Sequence, residues 1–270
     1  MAKSRRRAGL LAYAVFYLAF LYVPVLFLPL FSFNDSVFIT FPLSGFTTKW
    51  YGQMLADGAM LHALGNSLEV GTITALLSTV LGLLAAKALT RYRVPGATAL
   101  LAFTSLPLFI PDIVLGISLL ILLTAVSVPL SLLTVIVGHS LICIPFAITV
   151  LMSRFDGFDK SLEEASLDLG ENGWMTFWRV TFPLALPGIV SSLLLTFIVS
   201  FDEFLIAYFL AGSEATLPIY IWGELRFPYK LPAVLALGAL ILVASAVLVV
   251  IAEWVRSHGM KERKHTMVGA

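Results

Sequence analysis

The segment that decides the fold is a polar island at residues 154–183, with the sequence RFDGFDKSLEEASLDLGENGWMTFWRVTFP. It holds six acidic and three basic residues in a chain of which only 12% is charged. Long apolar segments come before and after it, and segments of that length are typical of membrane spans. We therefore predict a short folded element outside the membrane, between two spans.

The island has its own helix start and stop signals. Ser161 and Glu164 have the spacing of a capping box, in which the Glu164 carboxylate reaches back to the amide at the helix start. Gly170 lies where a left-handed residue would end the helix, and Asn172 can cap a second one. A helix of about eight residues is marginal alone in water. We therefore expect the first helix to dock on another surface.

The composition indicates a polytopic membrane protein. Of the 270 residues 59% are hydrophobic, and the mean hydropathy is +0.97, whereas soluble domains are roughly 45–50% apolar. The net charge of +1 says nothing about nucleic acid, but the sequence has no basic stripe with interleaved aromatic residues, and we predict no nucleic-acid partner. Cys143 is the single cysteine and the four histidines lack ligand spacing, so the sequence predicts neither a disulfide nor a metal site.

Six segments are long and apolar enough to span a bilayer. They are residues 9–33, 66–90, 97–125, 128–152, 184–210 and 232–255. Of the 17 lysine and arginine residues, 14 then fall on the side of both termini and the island, and 3 on the other side. The positive-inside rule places both termini and the loop at 153–183 in the cytoplasm. The predicted fold class is all-α, with a single transmembrane domain over residues 1–270.

Two segments are expected to depart from simple spanning helices. The third span contains Pro107 and Pro111, which break or kink a helix and are tolerated where the backbone lines a cavity. In the outer loop at 34–65 we predict a short interfacial helix with Trp50 and Tyr51 as anchors.

Ionisable side chains within the spans mark a candidate pathway. Four are acidic, namely Glu69, Asp112, Asp202 and Glu203, and no lysine or arginine lies deep in a span to pair with them. Each such group costs about 2.5–3.5 kcal/mol at a helix centre, which makes it a candidate for function. Unpaired carboxylates favour a cationic cargo and disfavour phosphate, sulfate or molybdate. We predict that these four acids line the substrate pathway.

Each acid also has a second interpretation. Glu69 lies near the outer end of its span, where it can simply contact water. Asp112 follows a proline and can cap a restarted helix. Asp202 and Glu203 point about 100° apart on a helix, so both cannot face one spot. At least one is expected in the bundle interior; the alternative is a contact with a partner subunit.

Three aromatic side chains are ambiguous in the same way. His139 is predicted to make an ordinary interhelical hydrogen bond. Tyr208 has the spacing of a packing residue, and its ring, like that of Trp222, can alternatively bind an amine through a cation–π contact. Tyr208 is therefore added to the candidate pathway.

The island resembles the EAA loop of bacterial ABC importer permeases. The family pattern is Glu-Ala-Ala, three residues, Gly, nine residues, and then Ile-x-Leu-Pro. Glu164, Ala165, Gly170 and Pro183 match this pattern. Three positions differ from it, at Ser166, Val180 and Phe182.

Further stretches extend the resemblance over nearly the whole chain. They are FSFN at 31–34, NSL at 66–68, PDIVLG at 111–116, SFDEF at 200–204 and LP at 217–218. Together they are similar to PotC-type permeases of the spermidine/putrescine importer family. The resemblance implies a type I importer permease fold with six transmembrane helices in a bacterial inner membrane.

By this resemblance the island is a coupling helix seated on a cytoplasmic ATPase subunit. The residues that it assigns to ATPase coupling are Glu163, Glu164, Ala165, Gly170 and Pro183. The chain lacks a Gly-x4-Gly-Lys-Ser/Thr loop, so we predict that it is not an enzyme and binds no cofactor, and that ATP and Mg²⁺ belong to partner subunits. The implied partners are a second, PotB-like permease, two PotA-like ATPase subunits, a periplasmic PotD-like binding protein and membrane lipid. The outer loops around Trp50 and Trp222 are the expected docking surface for the binding protein.

The expected cargo is a polyamine, spermidine or putrescine, and the alternative within this class is an opine or another small nitrogenous solute. Two remote alternatives belong to other classes. An intramembrane protease is disfavoured because the Gly116-Ile117-Ser118 stretch lacks a following glycine and the last span contains no histidine as base. A voltage-gated channel subunit is disfavoured because no span carries an arginine ladder.

Overall fold

The computed structural model describes residues 2–247, with side chains from residue 10 onward, and this part of the chain is helical. The helices are α1 (Ala2–Ser32), α2 (Lys49–Ala56), α3 (Gly58–Arg91), α4 (Ala97–Ser105), α5 (Asp112–Ala125), α6 (Leu132–Asp156), α7 (Ser161–Asp168), α8 (Gly173–Thr176), α9 (Phe182–Asp202), α10 (Leu205–Leu210) and α11 (Leu217–Glu224). Within residues 2–247 the extended contacts amount to one isolated bridge, between Asn34 and Phe46. The all-α prediction is confirmed.

Five segments are long and apolar enough to cross a membrane. They are Leu10–Ser32, Gly58–Arg91, Leu132–Asp156, Gly173–Asp202 and Pro228–Val247, and the pair α4 and α5 makes a sixth if it is counted as one span. The second span therefore begins earlier than predicted, at Gly58. The fifth span begins at Gly173 and is continuous with the second half of the island. The predicted end of the last span, residues 248–255, lies outside the described residues, as do the basic side chains beyond it.

The third span is broken at its prolines. A 3₁₀ turn at Leu106–Phe109 follows α4, and α5 restarts at Asp112 directly after Pro111. The two halves are bent by 102°. The predicted break is confirmed. Its cause is that a proline supplies no amide hydrogen and clashes with the preceding turn of a helix.

The described chain divides into two compact units. One comprises residues 2–58 and the described residues after Tyr220, and it contains α1, α2 and the last span. The other comprises Ala59–Tyr220 and contains α3 to α10. A single domain over residues 1–270 stays a prediction.

Close helix packing in the larger unit depends on small residues. A Cβ atom added to Gly82 of α3 would lie 2.6 Å from the Cβ of Ala147 on α6. On α9, the Ser192 hydroxyl lies 3.0 Å from that of Thr79 on α3. Small side chains and shared hydroxyls are how helices associate where apolar lipid supplies little driving force. These contacts hold α3, α6 and α9 together.

The loop at 34–65 contains the predicted short helix, which is α2, but Trp50 is not an exposed anchor. Trp50 is 5% exposed, and its ring nitrogen donates a hydrogen bond to the backbone carbonyl of Asn34 at 2.7 Å. The side-chain oxygen of Asn34 in turn accepts from the amide of Ser44 at 2.9 Å. Trp50 therefore anchors the loop from inside instead of anchoring it at a lipid interface, and it offers no surface for docking. Trp222 is 52% exposed, and a docking role for the loop around it stays a prediction.

Candidate functional site

A cavity of about 460 Å³ lies where the start of α5, the middle of α6 and the end of α9 meet. Its lining residues are Pro107, Leu108, Asp112, Ile142, Phe146, Val199, Asp202, Glu203, Phe204 and Leu205. Three of these are acidic and none is basic. Small-molecule sites commonly have volumes of roughly 300–1,000 Å³, with an apolar lining and a few convergent polar groups. The cavity fits that description.

Asp202 and Glu203 line the same cavity, and the expectation that they could not was wrong. It assumed a continuous helix, but α9 ends at Asp202 and the backbone of Glu203 is extended, with φ −69° and ψ 120°. The Glu203 carboxylate accepts hydrogen bonds from the amides of Ile206, at 3.0 Å, and Ala207, at 3.5 Å, at the start of α10. The break in the helix thus turns two adjacent acids toward one site.

Asp112 is the first residue of α5 and joins these acids at the cavity. The Asp112 carboxylate makes no hydrogen bond to the described residues, so it does not cap this helix start. Of its two interpretations, the structure therefore favours lining of the cavity. The proline break brings this carboxylate, from a different span, to the site.

Glu69 and Tyr208 are not among the residues that line the cavity. Glu69 is exposed on α3, as expected of an acid near the outer end of its span. Tyr208 is 53% exposed, and its ring contacts Phe204 and Phe209, with centroid distances of 5.5 Å to each. The aromatic residues that line the cavity are Phe146 and Phe204, and Tyr208 is not one of them.

A buried histidine lies behind the cavity. His139 on α6 is 1% exposed, and its Nδ1 atom lies 2.8 Å from the hydroxyl of Ser200 on α9. The predicted interhelical hydrogen bond is confirmed. Its Nε2 atom has no hydrogen-bond partner among the described residues and lies 3.7 Å from a carboxylate oxygen of Glu203. No local pattern in the sequence indicates this proximity, because it depends on the break after Asp202.

The first island helix starts differently from the predicted capping box. Ser161 is the first residue of α7, and the preceding Lys160 is helical. The Glu164 carboxylate makes no hydrogen bond or ion pair among the described residues. The role of the cap falls to Asp159, whose Oδ1 accepts from the Ser161 amide at 3.0 Å. That backbone hydrogen bond holds the pKa of the Asp159 carboxyl below its ordinary value.

The predicted end of that helix is confirmed. Gly170 has a φ of +91°, and its amide donates to the carbonyl of Leu167 at 2.9 Å, while the amide of Glu171 donates to Ser166 at 3.2 Å. This pair of bonds is a Schellman motif. Asn172 then caps α8, because its side-chain oxygen accepts from the amide of Met175 at 2.9 Å.

The two adjacent acids of α7 differ in burial. Glu163 is turned inward: one of its oxygens accepts from Nε of Arg91 at 2.8 Å, and the other accepts from the hydroxyl of Thr181. Glu164 and Ala165 are exposed. Pro183 is the second residue of α9, directly after the π-helical turn at Phe177–Thr181.

The helix that carries the exposed Glu164 and the two elements after it also expose large apolar side chains. These side chains, the apolar surface of the island, belong to α7, to the turn after it and to α8: Leu162 (46% exposed), Leu167 (47%), Leu169 (87%) and Trp174 (69%). A patch of this kind next to a charged residue is typical of a protein interaction site.

The known proteins that the chain resembles in sequence are membrane components of transport systems. Residues 78–258 match the family described as binding-protein-dependent transport system inner membrane component. The chain is 35% identical over 252 residues to the putrescine transport system permease protein PotI of Escherichia coli strain K12, covering 90% of this chain and 89% of that protein. It is 33% identical over 233 residues to the spermidine/putrescine transport system permease protein PotC of the same strain, covering 86% and 88%. A probable molybdenum ABC transporter permease protein of Haloferax volcanii is 34% identical over 205 residues, covering 70% and 76%.

Two solved structures share the fold. One is a bacterial ABC transporter involved in the import of the acidic polysaccharide alginate, with a TM-score of 0.67 and 19% identity over 94% of this chain and 97% of that one. The other is the MetNI methionine ABC transporter, with a TM-score of 0.56 and 17% identity over 76% and 95%. At these identities the likeness concerns the fold alone.

Proposed function

Because the chain belongs to the family of inner membrane components of binding-protein-dependent transport systems, we propose that it carries a polyamine, putrescine or spermidine, across the bacterial inner membrane. It is a multi-pass, non-catalytic permease subunit of an ABC importer, and ATP hydrolysis belongs to a separate subunit. The proposed topology has both termini in the cytoplasm.

The three-acid cavity is the observation that carries the choice of cargo. Asp112, Asp202 and Glu203 meet there without a basic neighbour in the lining. Polyamines present protonated amines separated by methylene chains. Carboxylates can pair with the amines, and apolar lining such as Phe204 can contact the methylenes. A molybdate oxyanion would face only repulsion, which argues against the cargo named for the Haloferax relative.

The island supplies the proposed contact with the ATPase subunit. Glu164, Ala165 and Gly170 match the EAA pattern, and the apolar surface of the island includes the exposed Leu169 and Trp174 on the elements that follow α7. A short helix capped at both ends and bearing an unpaired acid is suited to insertion into a groove of another protein. We assign the coupling contact to this surface.

Permeases of this family work with a partner permease, an ATPase and a binding protein. For this chain we propose a PotB-like second permease, two PotA-like ATPase subunits that hold ATP and Mg²⁺, and a PotD-like binding protein in the periplasm.

Reconstitution tests this function directly. The chain would be co-expressed with the permease, ATPase and binding-protein genes adjacent to its own and placed in liposomes that contain ATP. We expect uptake of labelled putrescine or spermidine that requires both ATP and the binding protein. Uptake of molybdate instead, or uptake of opines with no polyamine transport, would overturn the proposed cargo. A Walker-lysine variant of the ATPase subunit is the matched control, since it leaves this chain unchanged.

A further inference from the structure

The ion pair between Arg91 and Glu163 is buried at the cytoplasmic end of the bundle. Arg91 is the last residue of α3, and the side chains of the two residues are only 9% and 12% exposed. Surface ion pairs contribute little, but loss of one partner from a buried pair leaves an uncompensated charge. Removal of either residue alone should therefore destabilise the fold.

The guanidinium group of Arg91 connects α3 to α6, to α7 and to the segment between those two helices. Arg91 contacts Glu163 on α7, and its Nη2 atom donates to the carbonyl of Phe155 at 3.1 Å and to that of Phe158 at 3.3 Å. Phe155 belongs to α6, so the arginine also holds that helix near its C-terminal end. Through Glu163 the connection continues to Thr181, which is fully buried next to the first residue of α9.

The rings of both phenylalanines enclose the guanidinium. Its central carbon lies 4.7 Å from the centroid of Phe158 and 5.4 Å from that of Phe155. One turn earlier on α3, the amine of Lys87 lies 4.7 Å from the ring centroid of Phe177, in the π-helical turn that leads into α9. Two successive turns of α3 thus contact the island, one at α7 and the other at the π-helical turn before α9.

Helix α9 connects this pair to the cavity. It begins beside Thr181 and ends at Asp202, and its 21 residues span about 30 Å at 1.5 Å per residue. On the way it contacts α6, where the side chain of Arg154 covers Gly188 so closely that an added Cβ would lie 2.7 Å from Arg154 Cγ. A displacement of α7 that carries Glu163 with it would therefore act on the helix that bears the cavity acids.

We propose that the two adjacent island acids have separate tasks: Glu164 binds the ATPase subunit, and Glu163 transmits that subunit's movement to α3 and α9 through Arg91 and Thr181. The inference rests on the proposed function. It makes the coupling role predicted for Glu163 an indirect one, because both of its carboxylate oxygens accept hydrogen bonds inside the chain. Glu163 and Arg91 are positioning residues, since neither lines the cavity.

The test separates binding from transmission in the reconstituted importer. For each variant we would measure the ATPase subunit retained per permease, the ATP hydrolysis stimulated by putrescine-loaded binding protein, and the putrescine moved per ATP hydrolysed. For E163A we expect full retention of the ATPase subunit and about a tenfold fall in putrescine moved per ATP. For E163Q, which keeps hydrogen bonds to both partners, we expect an intermediate fall. For E164K we expect loss of the ATPase subunit itself.

Two additional variants protect the test against misfolding. D168N neutralises an exposed acid on the same helix and should match the wild type in all three measurements. In R91M/E163M both charges are removed together, so no unpaired charge is buried; the complex should assemble, with transport uncoupled from hydrolysis. Wild-type coupling in E163A or in R91M/E163M would overturn the transmission role. A wild-type chain that neither retains an ATPase subunit nor takes up putrescine would instead overturn the proposed function, and this inference with it.

Discussion

The Nε2 atom of His139 on α6 lies 3.7 Å from Oε2 of Glu203, which lies in the break between α9 and α10, 64 positions further along the chain. The Nδ1 atom of the same ring is bound to Ser200. Nδ1 thus connects α6 to α9, and Nε2 lies next to the carboxylate of Glu203, which lines the cavity. The two nitrogens can be tested separately.

We expect H139N and H139Q to have different defects. Asparagine can place a polar atom near the Nδ1 position and keep the bond to Ser200, whereas glutamine reaches the Nε2 position and gives that bond up. An unpaired buried hydroxyl costs about 1–3 kcal/mol, so H139Q should lower the unfolding temperature in detergent. H139N should keep that temperature but slow putrescine uptake. Equal unfolding temperatures and equal uptake in the two variants would contradict separate roles for the two nitrogens.

Neutralisation of Asp202 should impair transport without impairing assembly. A hydrogen bond to a charged group contributes about 1.5–3 kcal/mol, so D202N should reduce the initial rate of putrescine uptake roughly tenfold to a hundredfold. Size-exclusion chromatography should still show the intact complex. The matched control is E69Q, because Glu69 is also an acid within a span but does not line the cavity. Wild-type uptake by D202N, or an equal loss in E69Q, would remove the assignment of the cavity as the cargo site.

The sequence predicted the fold well where local signals decide it. Apolar length identified the spans, Pro107 and Pro111 identified the break, and Gly170 and Asn172 identified the end of one island helix and the start of the next. Each of these features depends on residues adjacent in the chain. Helix periodicity failed at Asp202 and Glu203, because the chain breaks there without a proline or glycine to announce it.

Contacts between distant segments could not be predicted in the same way. In the sequence Arg91 is only one of the 14 basic residues on the side of the termini, and its pairing with Glu163 spans 72 positions. Trp50 looked like an interfacial anchor because nothing local indicates that Asn34 accepts its ring N–H. Which member of the Glu163 and Glu164 pair faces inward depends on tertiary packing, since both are compatible with the same helix.

The contact between Gly82 and Ala147 predicts a strong effect of one methyl group. In G82A the new Cβ would lie 2.6 Å from the Ala147 side chain and 3.1 Å from the backbone nitrogen of Ile148, so α3 and α6 must separate. Overpacking of this kind costs about 1–3 kcal/mol. Thermal unfolding in detergent should show the loss. The control is G65A on the same helix, where an added Cβ meets nothing within 4 Å and better helix propensity should leave stability unchanged or slightly raised. Similar unfolding temperatures for the two variants would show that the close packing is dispensable.

Replacement of Gly170 should weaken the island without any steric clash. No atom lies within 4 Å of an added Cβ at this position, so the cost arises from its φ of +91° alone. A left-handed backbone costs a residue with a Cβ about 1–2 kcal/mol, which G170A can avoid only by opening the Schellman turn and moving Leu169 and Glu171. We expect less ATPase subunit to co-purify with G170A and unchanged unfolding of the transmembrane helices. G173A is the control, because Gly173 begins α8, has an ordinary backbone conformation and is equally uncrowded. If G170A retained the ATPase subunit as well as G173A does, the left-handed turn would not be needed to present Glu164 to its partner.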